Sequence, residues 1–351
     1  MKRKETVNPY QNRLDAFVKR VGEMKLDTAV VFNQANVRSL TGVDCDNAAL
    51  VVETRGGRPA VTFYTDFRYV PMVHRVAPQL KVGDIKRLKL KGGKIGYEPT
   101  MPHARFLKLQ KASPEAEFVD VDAEVKRLRA VKSADEIAKL RAAELLNSEI
   151  WADAQREFKA GMTELQMARI IRHMMIERGE GEAFETIVCV GANAAECHHV
   201  PDGTVWNGRD AVLVDMGVKL DGYCSDMTRN IVPARPSALY RKIYSLVLKA
   251  NMCAIAEARP GLTCGRLDRV ARKIIEDAGF GRCFGHSLGH SVGLEIHETP
   301  MARKGDKTVL EPGMLVTIEP GVYLEGNLGV RIEDLVLITE DGCEVLSPSP
   351  K

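Results

Sequence analysis

Apolar residues along the first 125 or so positions fall into two alternating patterns. "TAVVF", "AALVVE" and "PAVTFYT" are short, nearly unbroken apolar runs rich in β-branched and aromatic residues, which predicts buried strands. "QNRLDAFVKRVGEM" instead sets Leu14, Phe17, Val18 and Val21 on one face of a 3.6-residue repeat, which predicts a helix. Strands alternating with helices define a small N-terminal α/β domain. The pattern changes around "KASPEAEFVDVDAEVKRLRAVKSADEIAKL", where Ser133 and Glu136 form a capping box heading a long helix that runs to about Phe158. The boundary falls between Asp122 and Ser133, with expected domains 1–127 and 128–351.

Further helices follow in "TELQMARIIRHMMIERG", "SALYRKIYSLVLKANMCAIAEA" and "RLDRVARKIIEDAG", interleaved with strands that meet in hairpins rather than crossovers. That arrangement is α+β, an antiparallel sheet covered by helices. There is no short tandem repeat, and the ending "SPSPK" reads as a frayed tail.

A length of 351 residues suits two domains. A net charge of +3 is too mild to suggest nucleic acid or an acidic surface as partner. The basic start "MKRKETVNPYQNRLDAF" lacks the apolar run of a secretory signal, and no window holds eighteen uninterrupted apolar residues. The expectation is a soluble cytoplasmic protein without a membrane partner. Eight cysteines lie scattered without any CxxC, which predicts free thiols in a reducing compartment, each a small core residue.

The chemistry concentrates in two places. "GHSLGHSVGLEIHE" packs His286, His290 and His297 into fourteen residues, with glycine at 285, 289 and 293. Glycine permits close approach, and neutral imidazole is a common metal ligand. In "AVLVDMGVKLDGYCSDMTRNIV", Asp221-Gly222 signals a two-residue hairpin turn that pairs Leu220 with Tyr223 and therefore sets Asp215 opposite Thr228. Asp226 shares that face, so two carboxylates lie diagonally, roughly 5 to 8 Å apart, while Val212, Val214, Met216 and Val218 point the other way. Taken singly, each Asp could cap a turn or pair with an arginine such as Arg229. Together in apolar strands they favour a cation between them. Glu319 ends one apolar strand and Glu333 sits within another, joined by a turn around Asn327-Leu328-Gly329. Neither would be buried cheaply without a partner. Four carboxylates and a histidine suit two divalent ions that activate a bridging water.

The ordered set "VDMG", "SDMTR", "SLGH", "TIEPGVY" and "GVRIED" resembles the pita-bread metallopeptidases, in the branch of Xaa-Pro aminopeptidases and Xaa-Pro dipeptidases (prolidases). "NVRSLTGV" followed by "TDFRYV" resembles the creatinase-like N-terminal domain of that branch, and "VKSADEIAKLRAA" its helix into the catalytic domain. The resemblance implies that Asp226 and Glu333 bridge two ions, that Asp215 completes one, and that His290 with Glu319 completes the other. Mn or Co is expected, with Zn or Fe as alternatives.

The resemblance also implies that His297 contacts the scissile carbonyl and that His286 lies beside a proline pocket. Another substrate histidine is expected seventeen residues before Asp215, which is His198, although the adjacent His199 leaves that choice open; His199 itself reads as a solvated neighbour. Arg331 is expected near the substrate site, orienting Glu333 or Asp215. The implied reaction is hydrolysis of a peptide bond to proline nitrogen, with Glu319 relaying the proton of the attacking water while His297 and His198 stabilise the oxyanion. Partners are then proline-containing peptides, and a homodimer is expected. A methionine aminopeptidase shares the ligand types but usually lacks such an N-terminal domain. Metal-free amidinohydrolases and non-catalytic binding proteins of the same fold show ligand substitutions that are absent here.

Overall fold

A computed structural model describes residues 9–55 and 58–351; the first eight residues of the basic start lie outside the described residues. The chain divides into two compact units between Arg129 and Ala130.

The first unit contains helices α1 (Pro9–Glu23), α2 (Gln34–Thr41), α3 (Val70–Val76), α4 (His103–Ala112) and α5 (Asp122–Ala130). Its strands β1 (Thr28–Val31), β2 (Ala48–Glu53), β3 (Ala60–Thr65), β4 (Lys81–Asp84), β5 (Lys94–Tyr97) and β6 (Glu117–Asp120) form one sheet in the order β4-β3-β2-β1-β5-β6. The inner β1–β2 and β2–β3 pairs are antiparallel, and the remaining pairs are parallel. Val31, Leu50, Val52 and Phe63 face one core with Leu14, Phe17 and Val21 of α1, whereas Val30, Ala49, Val51 and Ile95 face a second core with Leu109 of α4. Burial on both faces explains why these strands read as unbroken apolar runs.

The second unit opens on α6 (Ala134–Glu157), capped by Ser133 with the reciprocal Glu136 contact that two orphan helix donors require. It continues with α7 (Glu164–Arg178) and strands β7 (Ile187–Val190), β8 (Val212–Met216), β9 (Lys219–Leu220), β10 (Tyr223–Cys224) and β11 (Met227–Ile231). Helices α8 (Ala238–Glu257) and α9 (Cys264–Asp277) precede β12 (Gly289–Ser291), β13 (Glu298–Ala302), β14 (Leu315–Ile318), β15 (Gly321–Leu324), β16 (Leu328–Arg331), β17 (Asp334–Ile338) and β18 (Cys343–Val345). Every strand pair of this unit is antiparallel. This is the pita-bread arrangement of antiparallel strands with helices packed on them.

The hairpin register follows the Asp221-Gly222 signal. Both turn residues have positive φ (50° and 77°), Leu220 pairs with Tyr223, and Asp215 pairs with Thr228. Elsewhere the structure corrects the pattern. The β15–β16 turn spans Glu325–Asn327, because Leu328 and Gly329 are already paired with Leu324 and Tyr323. Glu333 lies between strands, where the chain leaves its pairing with β15 and takes up pairing with β14. Cys197, Cys253, Cys283 and Cys343 are only half-buried; the other four are core residues, and all eight thiols are free.

The C-terminal residues are tied down rather than frayed. Leu346, Ser347 and Ser349 are buried. The Ser347 hydroxyl donates to Glu144, Arg229 donates to the Ser349 carbonyl, and Lys351 Nζ lies 2.7 Å from Asp334. A polar, proline-containing end hides this anchoring because its partners are buried charged groups far away in sequence.

Candidate metal centre and active-site cleft

Asp215 in β8 and Asp226, immediately before β11, are the first two carboxylates. Val212, Val214, Met216 and Val218 turn into a core with Ile150, Trp151, Met167 and Ile171 from α6 and α7. Strand alternation then forces Asp215 to the opposite face, and Asp226 and Asp215 both line the cleft. Arg229 serves neither: its guanidinium reaches Asp334 at 2.8 Å, with both side chains buried. Asp215 does meet an arginine, but from another strand. Arg331 Nη2 donates to Asp215 Oδ2 at 2.7 Å, Nε donates to Thr228 Oγ1, and Nη1 donates to Tyr323 Oη. Arg331 is 3% exposed, and the donors engaged by these contacts make it a brace for Asp215.

The glycine-rich stretch brings in the imidazoles. A Cβ at Gly289 would lie 1.9 Å from the Thr317 carbonyl oxygen, and one at Gly293 would lie 2.4 Å from Glu298 Oε1, so these glycines answer to close packing. Gly285 meets nothing within 4 Å and has no such reason. His290 Nδ1 lies 3.1 Å from the Ser291 carbonyl, which can only accept; the proton therefore sits on Nδ1 and the Nε2 lone pair faces the carboxylates. Nε2 is 3.5 Å from Glu319 Oε1 and 3.6 Å from Asp226 Oδ2, too long for good hydrogen bonds. Two ligands about 2.1 Å from one ion stand roughly 3 to 3.5 Å apart, so this spacing suits a shared cation.

Three further observations fit divalent metal. Asp226, His290 and Glu333 are all buried and offer ligand atoms within 4.8 Å of one another. Asp215 Oδ1 is buried with no hydrogen-bond partner among the described residues. Burial and mutual repulsion push the carboxyls up: Asp226 and Glu333 well above their ordinary values, and Glu319 from 4.5 to about 8. Burial, with His297 close by, pushes His290 down to about 4, which keeps it neutral and able to ligate.

A second group able to gather around an ion is Glu164, His199 and Asp202. Its chemistry differs. Glu164 accepts from Val190 N, Asn193 Nδ2, Asp202 N and the His199 ring, so its oxygens are already satisfied. His199 is thus a correction: 8% exposed and bonded to two carboxylates, it is no solvated neighbour. The sequence shows two adjacent histidines but not the distant Glu164 that draws one inward.

The cleft has a volume of about 390 Å³, the size of a site for a small ligand. His198, His286 and His297 line it with Asp215, Asp226, His290, Glu319, Arg331 and Glu333, beside an apolar wall that includes Phe184, Ile187, Ile296 and Met301. The ring of His297 lies 4.4 Å from that of His290. Burial lowers its pKa, and the facing His198 lowers it further. His286 Nε2 is 2.9 Å from Tyr323 Oη, which in turn accepts from Arg331, so a hydrogen-bonded chain runs from His286 to Asp215. The sequence pattern names Thr228 only as the strand partner of Asp215, and it gives Tyr323 and Glu144 no part in the site. Tyr323 and Thr228 sit inside quoted motifs, whereas Glu144, which accepts the Asp226 backbone N–H at 3.1 Å, carries no local signal.

Antiparallel pita-bread strands around a buried carboxylate and imidazole cluster define a metallopeptidase of the pita-bread class. Residues 138–340 match the family model described as Metallopeptidase family M24, and residues 13–131 match the Creatinase/Prolidase N-terminal domain; the chain belongs to this family, in the branch whose relatives carry Xaa-Pro dipeptidase and aminopeptidase names. It is similar to a Xaa-Pro dipeptidase of Pyrococcus furiosus, 34% identical, with 97% of this chain and 99% of the relative covered. Among solved structures it is similar to a Xaa-Pro dipeptidase from Bacillus anthracis (30% identical, 97% and 98% covered, TM-score 0.91). An X-Pro aminopeptidase from Thermotoga maritima is also similar (30% identical, 94% and 98% covered, TM-score 0.84).

Proposed function

We propose that this protein is a dinuclear-metal exopeptidase that hydrolyses the bond between an N-terminal residue and proline. The observation that carries the reading is the convergence of Asp226, His290 and Glu333, with ligand atoms within 4.8 Å, in the same cleft as His198, His286 and His297. The names of similar proteins support it. Asp226 and Glu333 would bridge two ions, Asp215 would complete one, and His290 with Glu319 would complete the other, with Mn or Co expected and Zn or Fe as alternatives. Bound there, divalent ions supply Lewis acidity and bring the ionisation of a water into the neutral range.

The chain's own residues supply the rest. Arg331 fixes Asp215 by Oδ2 and leaves Oδ1 for a ligand bond. Thr228 donates to Glu333 Oε2 at 2.7 Å, and Thr317 donates to Glu319 Oε1 at 3.1 Å, so both glutamates are oriented before substrate arrives. Glu319 takes the proton of the attacking water and delivers it to the leaving proline nitrogen. His297 and His198 present N–H donors to the developing oxyanion, and His286 lies against the proline ring. The free thiols support a reducing, cytoplasmic compartment.

The test is hydrolysis of an Xaa-Pro dipeptide and an Xaa-Pro-Xaa tripeptide by metal-stripped protein reloaded with Mn or Co. Cleavage of the first alone makes it a dipeptidase, and cleavage of the tripeptide makes it an aminopeptidase. No cleavage of either, with two ions bound, would overturn the reading.

A further inference from the structure

The loop that carries His198 is organised around a carboxylate outside the metal cluster. Glu164, the first residue of α7, is fully buried. Oε1 accepts from Val190 N at 2.6 Å and Asn193 Nδ2 at 2.9 Å; Oε2 lies 2.8 Å from His199 Nε2 and accepts from Asp202 N at 3.1 Å. These partners are spread along the loop from the last residue of β7 to Asp202, so one side chain sets its path.

His199 closes the arrangement. Its Nδ1 lies 3.1 Å from Glu196 Oε2, so both ring nitrogens face carboxylates. Burial pulls its pKa down, but the hydrogen bonds to Glu164 and Glu196 outweigh it and hold the ring above its ordinary value. The result is a buried imidazole and carboxylate pair in which removing either partner leaves the other unmatched. On the other side of His198, the Cys197 carbonyl accepts from Arg331 Nη1 at 3.4 Å, which ties the loop to the brace of Asp215. Held at 197 and at 199, His198 stands exposed on the cleft.

We propose that His199, anchored on Glu164, is a positioning residue that aims His198 at the substrate carbonyl. The proposal rests on the reading of His198 as an oxyanion donor. A donor that must meet a transition-state oxygen is sensitive to displacement of an ångström, whereas substrate binding by the apolar wall and His286 is not.

The test compares His198→Ala, His199→Phe, His199→Gln and the His198→Ala/His199→Phe double variant in the Mn-loaded protein with an Xaa-Pro dipeptide. His199→Phe is expected to lower kcat by about tenfold to a hundredfold with KM near that of the parent. His199→Gln, which keeps a donor toward Glu164, is expected to restore most of it. In the His198→Ala background, His199→Phe is expected to cost nothing more, since the group it aims is gone. A parent-like kcat in His199→Phe, a full further loss in the double variant, or a parent-like kcat in His198→Ala overturns the proposal. Hydrogen exchange without substrate provides a second readout: amides of residues 191–202 exchange faster in His199→Phe and as in the parent in His199→Gln, and unchanged exchange in His199→Phe overturns the proposal. If the parent cleaves no Xaa-Pro peptide, the peptidase reading fails, while exchange still decides whether His199 anchors the loop. Should His199→Phe fail to fold, Glu164→Gln, which keeps the shape and removes the charge, replaces it in both measurements.

Discussion

Arg331 holds Asp215 by one oxygen. Nη2 meets Oδ2 at 2.7 Å, and Oδ1 of the same carboxylate is buried without a hydrogen-bond partner among the described residues. Thr228, Tyr323 and the Cys197 carbonyl accept from further guanidinium N–H groups, so the fork rather than the charge alone fixes the carboxylate. Arg331→Met removes one partner of a buried pair and is expected to cost about 3 kcal/mol or more. Arg331→Lys is expected to recover little, because an ammonium cannot reach the four acceptors of the guanidinium in that geometry. Urea unfolding of the metal-stripped variants checks both; stability of Arg331→Met within about 1 kcal/mol of the parent is the contrary result.

Exhaustive chelation is expected to abolish peptidase activity, and Mn or Co to restore it. Full activity of a chelated sample, with its metal content measured alongside, would remove the dinuclear reading.

The stripped protein is expected to show a particular pH dependence. Glu319 is raised from its ordinary 4.5 to about 8, and Asp226 and Glu333 are raised as well, so the folded chain binds these protons more tightly than the unfolded chain does. The Glu319 contribution is fully present below about 4.5 and is lost as pH rises through about 8, and those of Asp226 and Glu333 are lost in the same direction. The melting temperature without metal should therefore fall across that window. Added Mn, which competes with those protons, should raise the melting temperature more at the alkaline end; one ion bound at a hundredfold excess over Kd stabilises the fold by about 2.7 kcal/mol. Calorimetry at matched ionic strength decides, and a metal-free melting temperature that climbs across the window runs against the assignment.

Asp226→Ala and Glu333→Ala should each lose more metal than Asp215→Ala, because a bridging carboxylate serves both ions. Elemental analysis of the purified variants is the measurement. Two ions retained per chain in Glu333→Ala contradict bridging.

The histidines of the glycine-rich stretch at 285–298 should separate by role. His290→Ala is expected to lose metal. His297→Ala should keep metal and lose roughly a hundredfold or more in kcat, on the order of 3 kcal/mol, because a donor to the oxyanion contributes in the transition state. His286→Ala should act mainly on KM. Metal loss in His297→Ala together with full retention in His290→Ala would reverse the first two assignments.

Local periodicity and turn chemistry made much of this protein legible from its residues. The unbroken runs of β1 to β3, the capping box at Ser133 and the Asp221-Gly222 hairpin each depend on neighbours a few positions away, and the structure has them where the pattern puts them. The same hairpin register sets Asp215 and Asp226 on one face, because alternation along a strand leaves no other choice once Val212, Val214 and Met216 face the core. Tertiary structure decided what depends on distant partners. Glu164, from α7, draws His199 inward while leaving His198 on the cleft; Arg331 turns to Asp215 from a strand more than a hundred residues on; and Glu144 with Asp334 and Arg229 ties down an end that reads as loose. Each is a buried polar group whose desolvation must be offset by a specific partner, and composition and spacing do not encode which partner the fold will bring within 3 Å.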